Sequence, residues 1–490
     1  MRAFSLLMIF LITFHALPIV CPPLSYAEPK RKDVLTVMKT ATDFMMNTVS
    51  NRGGFVWKYT EDMSMQWGEI PARPSQIWVQ SATCDVGMML IDAGETTGDP
   101  EYLQYADRVA RVLIRGQHPA GGWHYFIDFD MAGVPRYYDD IASKCWGWEE
   151  YYHYYGNCTF DDDVTVSATR FLLRLYTTTL DPSYRVPLDR ALDFILAAQF
   201  PNGAWPQRYP LRYDYPHDGH PDYTSYYTFN DGVIINNIML LLEAYKQLGN
   251  ELYLEAARRG MDFVVLSQGS GEQAGWALQY NHDMQPAAAR SYEPAAYSPG
   301  VTRDNIRVLM TFYRITGDLR YLRGIPSALD WLERSKIDEP TGRYTHASWY
   351  EPVTNRPLYV HRTGTSRENG YYYVDYEYGN FICHYGQVTS IDVAVLEREY
   401  RRVSALSPEE TKAEYTRDEA SRISPPVDDA VVAKVIAALD TCGAWITDVV
   451  LYDYVNPCSD KRGQTIRGIA TREYIKNMRT LINWLEGRKP

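Results

Sequence analysis

The 490-residue chain has no run of basic residues longer than Lys30-Arg31-Lys32, and its formal charge is −12. A protein that neutralises phosphates needs such runs, so no nucleic-acid partner is expected. Beyond the first 27 residues no apolar stretch is long enough to cross a bilayer, so no membrane partner is expected either. Strand-like alternation is scarce, which argues against a fold built on sheets. Only Tyr371–Tyr376 and Trp349–Val360 read as short strands. Cysteine is sparse, with seven in all.

The N-terminus supplies what the rest lacks. Arg2 precedes an apolar stretch, Phe4 to Val20, which is followed by Ser25-Tyr26-Ala27. A charged start, an apolar core and a small-x-small site make a cleavable export signal. Residues 1–27 are therefore expected to be removed, leaving a secreted or periplasmic protein, expected to be a monomer, that starts near Glu28. A membrane anchor is the alternative, but Thr13, His15 and Pro18 break the apolar core. Cys21 leaves with the signal, and six cysteines suit an oxidising compartment. Sequence proximity suggests Cys145–Cys158 and Cys442–Cys458 as pairs, with Cys84 and Cys383 as a third pair or two buried thiols.

A repeat organises the middle of the chain. A turn signal recurs at Thr97-Gly98-Asp99-Pro100, Asp181-Pro182-Ser183-Tyr184, Gly249-Asn250-Glu251 and Thr316-Gly317-Asp318. Glycine ends one helix there, and Asp or Asn caps the next. The Asp or Asn precedes an aromatic position, Trp123, Trp205, Trp276 or Tyr344, by 24, 24, 26 and 26 residues. A more apolar helix lies before each turn, as in Val164–Leu180 and Val233–Leu248, and such a helix is buried. Helical hairpins with buried inner members give an all-α fold. An (α/α) toroid, an incomplete α/α barrel with short β segments, closes them most simply, and an open solenoid is the alternative. Residues 28–401 are expected to form the toroid, 402–426 a linker or insertion, and 427–490 helices that complete or cap it.

The toroid says where function belongs, because all the inner helices point their N-termini at one mouth. Counting back 19 residues from each turn Asp or Asn gives Gln80, Asp162, Asp231 and Pro299. Phe160-Asp161-Asp162 and Phe229-Asn230-Asp231 are thus equivalent, so carboxylates face one another across adjacent repeats. N-capping is the plainer explanation for one acid per helix. It does not explain three successive acids, Asp161–Asp163. Clustered carboxylates at a mouth suit calcium, a hard cation with oxygen ligands, and Asp161, Asp162 and Asp231 are the expected metal ligands. Tyrosine occurs 40 times and tryptophan 12. Flat rings serve sugar faces, although most of them must serve the core.

Several stretches resemble the pectate lyases of polysaccharide lyase family ten. They are Phe160-Asp161-Asp162-Asp163-Val164-Thr165, the run from Ala198 through Trp205-Pro206-Gln207-Arg208-Tyr209-Pro210 to Phe229-Asn230-Asp231, and Gln279–Glu293. The likeness covers roughly Asn157 to Arg362. It implies an α/α toroid that cleaves an acidic polysaccharide, polygalacturonate or a related uronan, by calcium-assisted β-elimination. It further implies that Asp161 and Asp231 hold calcium and the substrate carboxylate, and that Arg290 removes the C5 proton. Trp205, Arg208, Tyr209, Asn230, Tyr292, Arg356 and Arg362 are the expected substrate-binding residues.

This chain departs from the family pattern in places. Asp162 stands where Asn is usual, Gly232 where an acid is usual, and Ser348 where an arginine is usual. Arg343, Arg356 or Arg362 would have to supply that charge. Three other readings remain at this point: a toroid glycoside hydrolase working by a carboxylate pair, a glycan-binding protein without activity, and a terpene cyclase. The last is suggested by the Gln117-to-Trp123 and Gln199-to-Trp205 loops, and the export signal argues against it.

Overall fold

The computed structural model describes residues 28–145, 147, 149–212, 222–365, 369–420, 426–451 and 464–488. The export signal with Cys21, most of the loop between Arg212 and Ser225, and Cys458 lie outside the described residues.

The chain is an (α/α) toroid. Its helices are α1 (Arg31–Phe44), α2 (Cys84–Thr97), α3 (Pro100–Arg115), α4 (Val134–Asp140), α5 (Val164–Thr179), α6 (Arg185–Ala198) and α7 (Val233–Leu248). They continue with α8 (Glu251–Leu266), α9 (Pro299–Thr316), α10 (Ile325–Arg334), α11 (Val393–Ser404), α12 (Pro408–Ala420), α13 (Asp429–Ala437) and α14 (Thr471–Glu486). Each turn signal forms as its chemistry dictates. The carboxylates of Asp99, Asp181 and Asp318 and the amide oxygen of Asn250 accept from Glu101, Ser183, Arg320 and Leu252 N–H. Gly98, Gly249 and Gly317 end the preceding helices in the left-handed conformation. Leu180 takes that place, with φ 56°, where glycine is missing.

Inner helices α14, α2, α5 and α7 pack side by side, and α9 lies against α10, α11 and α12. Helix α7 buries Ile234, Ile238, Leu240 and Leu241. The loops stitch the outer helices together by one repeated device. Gln117 Nε2 donates to its own loop at Gly121 O and to the next outer segment at Pro187 O. Gln199 does the same to Gly203 and Ala256, and Gln268 to Ala274 and Gly324. The indole N–H of Trp123, Trp205, Trp276 and Trp445 each reaches back to a carbonyl of the preceding helix. Gly203 must be glycine, since its φ is +98° and a Cβ would lie 2.0 Å from Arg259 O.

The device recurs at Trp445, after α13, so the C-terminal segment carries a copy of the unit. Inner helix α14 packs on α2 and α1, where Tyr474 donates to Thr42. A five-stranded sheet joins Ile446–Val450 and Thr465–Ala470 to Lys58–Thr60, Gln66–Trp67 and Pro71–Ala72. The stretch read as a linker after residue 401 is instead largely helical, because α12 has partners: Arg314 on α9 pairs with Glu414 and Asp418, and Lys246 on α7 with Glu419. A second five-stranded sheet runs through Trp276-Ala277, Tyr297-Ser298, Trp349-Tyr350, Pro357–Arg362 and Tyr372–Asp375.

Of the expected pairs, Cys145–Cys158 and Cys84–Cys383 are not formed, and Cys383 is disulfide-bonded elsewhere. Cys158 is a buried free thiol on a strand paired with Arg208-Tyr209. Cys84 is free and buried at the start of α2, and Cys442 is free and exposed.

Candidate functional site

The inner helices α5 and α7 are each entered through a left-handed turn. Asp162 and Asp163 have φ of 50° and 60°, and Asp231 and Gly232 of 46° and 72°. Non-glycine residues in this region cost about 1–3 kcal/mol each and gather at functional sites, although Asp tolerates it better than most. The detour lifts Asp161 and Asp231 away from the helix N–H groups, and neither caps its helix. Asp163 does serve the helix, accepting from Ser167 and pairing with Arg170.

The two turns touch, and Asn230 holds them together. Its Nδ2 donates to Asp161 Oδ1 at 2.9 Å and to Asp231 Oδ2 at 2.7 Å. Asp161 Oδ2 accepts from Tyr125 Oη at 2.6 Å and from Arg290 Nη2 at 3.2 Å. Arg290 meets two more carboxylates, Glu150 through Nε at 2.9 Å and Glu293 through Nη1 at 3.2 Å. All four side chains are buried. The pair with Glu293 on the same loop is therefore an interior contact and not a surface one. Glu149, next to Glu150, accepts from Ser291 N. Tyr151 donates to Glu69 at 2.7 Å.

The charges are unevenly matched. Burial would lower the basicity of Arg290, but Glu150, Glu293 and Asp161 raise it well above its ordinary value. Burial would likewise raise Asp161, yet Arg290 and the Tyr125 hydroxyl hold it below the usual carboxylate value. Asp162 is pushed well up by burial, Glu69 and Asp161, and Asp231 by burial, Asp161 and Asp162. Glu69 is raised to about 8 by burial and Glu150. The cluster thus carries more carboxyl groups than its cations offset. These are hard oxygen donors, the chemistry that fits calcium. Among the described residues, however, no group of three His, Cys, Asp or Glu side chains is arranged to hold a metal ion.

The expected substrate-binding residues divide. Asn230 and Tyr292 stand at the site, with Tyr292 buried and its hydroxyl bonded to Gly147 O. Arg362 stacks on Tyr372 at 4.5 Å. Burial, Arg362 and Arg290 together press His384 down to about 4, which sets Arg362 beside the cluster. Four of the expected residues are engaged elsewhere. Trp205 is fully buried and bonds Ile195 O, so it serves the core. Tyr209 packs edge-on against Phe194. Arg356 lies over the exposed Tyr376, and no contact among the described residues joins it to the cluster. The Arg208 guanidinium is buried against the rings of Tyr125 and Tyr155 and has no hydrogen-bond partner among the described residues. Ser348, in the place of the family arginine, bonds Gly386 O.

The sequence reading missed Glu69, Tyr125, Glu149 and Glu150. Two adjacent acids inside Cys145–Tyr155, a run dense in aromatic residues, were a signal for the last two. Nothing local marks Glu69 or Tyr125, which fold brings in from the N-terminal third.

Comparison with known proteins follows this geometry. None of the curated proteins matches the chain. Among solved structures, a family 10 polysaccharide lyase from Cellvibrio cellulosa is 17% identical over 66% of this chain and 98% of its own, with a TM-score of 0.43. An unsaturated glucuronyl hydrolase specific for heparin is 11% identical over 94% and 97%, at 0.40. An α-1,6-mannanase from Salegentibacter sp. HEL1_6 is 11% identical over 92% and 98%, at 0.38. None of these likenesses is close enough to bear on the chemistry. The sequence profile of pectic acid lyases matches residues 148–403, more than half of the chain and the stretch that holds Glu150, Asp161, Asp231, Arg290 and Glu293. The chain therefore belongs to the pectic acid lyase family and is a carbon–oxygen lyase acting on polysaccharide.

Proposed function

We propose that the protein is a secreted lyase that cleaves a uronic-acid polymer, pectate or a close relative, by calcium-assisted β-elimination. The observation that carries this reading is the pair of facing turns, in which Asp161 and Asp231 share Asn230 while the neighbouring Asp162 has no ion-pair partner among the described residues. Asp161, Asp162 and Asp231 are not preformed as a metal cage, so they would hold calcium only together with the substrate carboxylate. The C5 proton of a uronate lies next to a carboxylate, so a second negative charge builds there as the proton leaves. Bound calcium would neutralise that charge, as a Lewis acid does for a developing enolate.

Arg290 is the group we assign to the C5 proton. An arginine is almost never neutral, and three carboxylates fasten its proton in the resting site. To take the C5 proton the guanidinium must first give one up, and the Glu150 and Glu293 carboxylates in contact with it are the acceptors at hand. Drawing Asp161 off to calcium would remove one of the three contacts that hold that proton. Tyr292 and Arg362 flank the place where the sugar would lie, and Arg362 stands in for the charge lost at Ser348. The export signal at residues 1–27 would carry the enzyme to its polymer.

The experiment is incubation with a panel of uronans, with and without a calcium chelator, watching for the ultraviolet absorption of the new C4–C5 double bond. Unsaturated ends that vanish with chelator and return with calcium support the reading. Undiminished cleavage in excess chelator would sink the calcium mechanism. Saturated ends would favour a hydrolase that uses Asp231 as acid and Asp161 as base.

A further inference from the structure

Arg208 is 1% exposed, and none of its three guanidinium nitrogens has a hydrogen-bond partner among the described residues. It lies between two rings, 5.1 Å from the centroid of Tyr125 and 4.4 Å from that of Tyr155. Cation–π attraction offsets part of the lost hydration. A buried charge without hydrogen bonds nevertheless remains costly, and an apolar side chain of similar volume is often more stable in its place. Stability of the fold is thus a poor reason for an arginine here.

Both ways out of Arg208 lead to one carboxylate. The Tyr125 ring that it covers ends in the hydroxyl that donates to Asp161 Oδ2. Its backbone pairs with Thr159, whose Oγ1 accepts from Asp161 N at 3.1 Å. Around that carboxylate stand Glu69, Glu150, Asp162 and Asp231, with Arg290 as the cation in contact. Tyr125 also lies before the stretch matched by the family profile, so this chain of contacts joins the N-terminal third to the catalytic turns.

We propose that Arg208 is a positioning residue for Asp161: clamped between two tyrosine rings, it fixes Tyr125 so that the hydroxyl stays aimed at Oδ2, and its charge offsets the crowded acids. Solvent does not reach its guanidinium, so it acts through Tyr125 and not on the substrate. This rests on the lyase reading above. A lysine cannot take the place, because its point charge lacks the planar surface that two rings can grip.

The test uses Arg208→Met, Arg208→Lys, Tyr125→Phe and the Met/Phe double variant in the full chain. Arg208→Met should melt at or above the parent temperature while turnover of polygalacturonate falls about tenfold to a hundredfold, the cost of a slightly misplaced group. KM should stay within about threefold, since ground-state binding is untouched. Arg208→Lys should not restore turnover. The double variant should be no slower than the slower single, because both changes release the same hydroxyl. Calorimetry with calcium chloride gives a second readout. Removing a positive charge near the acids should tighten calcium several-fold, whereas mere damage to the fold would weaken it. Native turnover in Arg208→Met, additive losses, or weaker calcium binding would each overturn the proposal. If Arg208→Met does not fold, Arg208→Lys decides: slowed turnover with calcium affinity kept supports the role, and native turnover refutes it. A parent chain inert on every uronan would remove the lyase reading and leave the calcium measurements to judge this one.

Discussion

Four places in the toroid are equivalent by repeat, and they divide into two kinds. Before α5 and α7 stand Asp161-Asp162 and Asn230-Asp231, and before α2 and α9 stand Val79-Gln80 and Ser298-Pro299. Ser298 does what helix starts ask, accepting from Val301 N. Ser81 shares the left-handed conformation of its counterparts Asp163 and Gly232, with φ 56°, but Gln80, in the place of Asp162 and Asp231, is extended and brings no acid. One left-handed residue therefore belongs to the scaffold, and the second, an acid in both copies, stands only before α5 and α7. That difference is the strongest ground for calling the cluster functional: α2 starts without the carboxylates, so the fold does not need them.

The largest effect should come from removing those acids. Asp161→Asn and Asp231→Asn should each cost about 10²–10³ in turnover, the scale seen when one electrostatic contact to a developing charge is lost. Melting temperature should hold, and for Asp231→Asn it should rise, because a crowded carboxylate disappears. An unfolded Asp231→Asn protein would return the residue to the scaffold and break the comparison.

Arg290→Lys comes next, at about tenfold to a hundredfold. The lysine keeps a charge but cannot meet Glu150, Glu293 and Asp161 at once. Steady-state kinetics should show the loss in kcat more than in KM. A lysine variant with native turnover would reduce Arg290 to a structural ion pair.

A smaller effect sharpens the contrast between copies. Glycine relieves a left-handed backbone, so Ser81→Gly and Asp162→Gly should each stabilise the chain by up to about 1 kcal/mol. Thermal melts and activity together separate the two: Ser81→Gly should keep full turnover and Asp162→Gly should lose most of it. Equal activity in both would mean that Asp162 is scaffold too.

Much of this was legible in sequence because the repeat writes local chemistry at fixed spacing. Caps at Asp99, Asp181, Asn250 and Asp318 act two residues away, and indoles at Trp123, Trp205 and Trp276 reach only to the helix just before them. The same regularity misled at Trp205, where an aromatic in a family motif looked like a sugar platform and is a core staple. What stayed hidden depends on chain closure. Glu69 and Tyr125 reach Asp161 only when the N-terminal third folds over the mouth, and no periodicity marks a residue whose partner is 36 positions away, as Asp161 is from Tyr125. The segment after 401 misled for a related reason. Its helix α12 is mostly polar, and partners far back in the chain, Arg314 and Lys246, help to hold it.

The gentlest way to question the comparison is pH. Carboxyls raised in the fold bind more protons folded than unfolded, so their contribution to stability is complete below the unfolded value and is lost as pH rises through the folded one. For Glu69 that window runs from an ordinary 4.5 to about 8. Asp161, which is depressed, and His384, lowered to about 4, act in the opposite sense, but both have finished titrating by neutrality. Between pH 7 and 9 in chelator, the melting temperature should therefore fall with a slope that Glu69→Gln reduces. Added calcium should flatten the slope further, since a bound cation favours the ionised cluster and competes with its protons. Ser81→Gly, from the copy without acids, should leave the slope as it is. If Glu69→Gln and the parent fall in parallel, the strain between the acids is not what the turns hold, and the case for a cation site loses its electrostatic half.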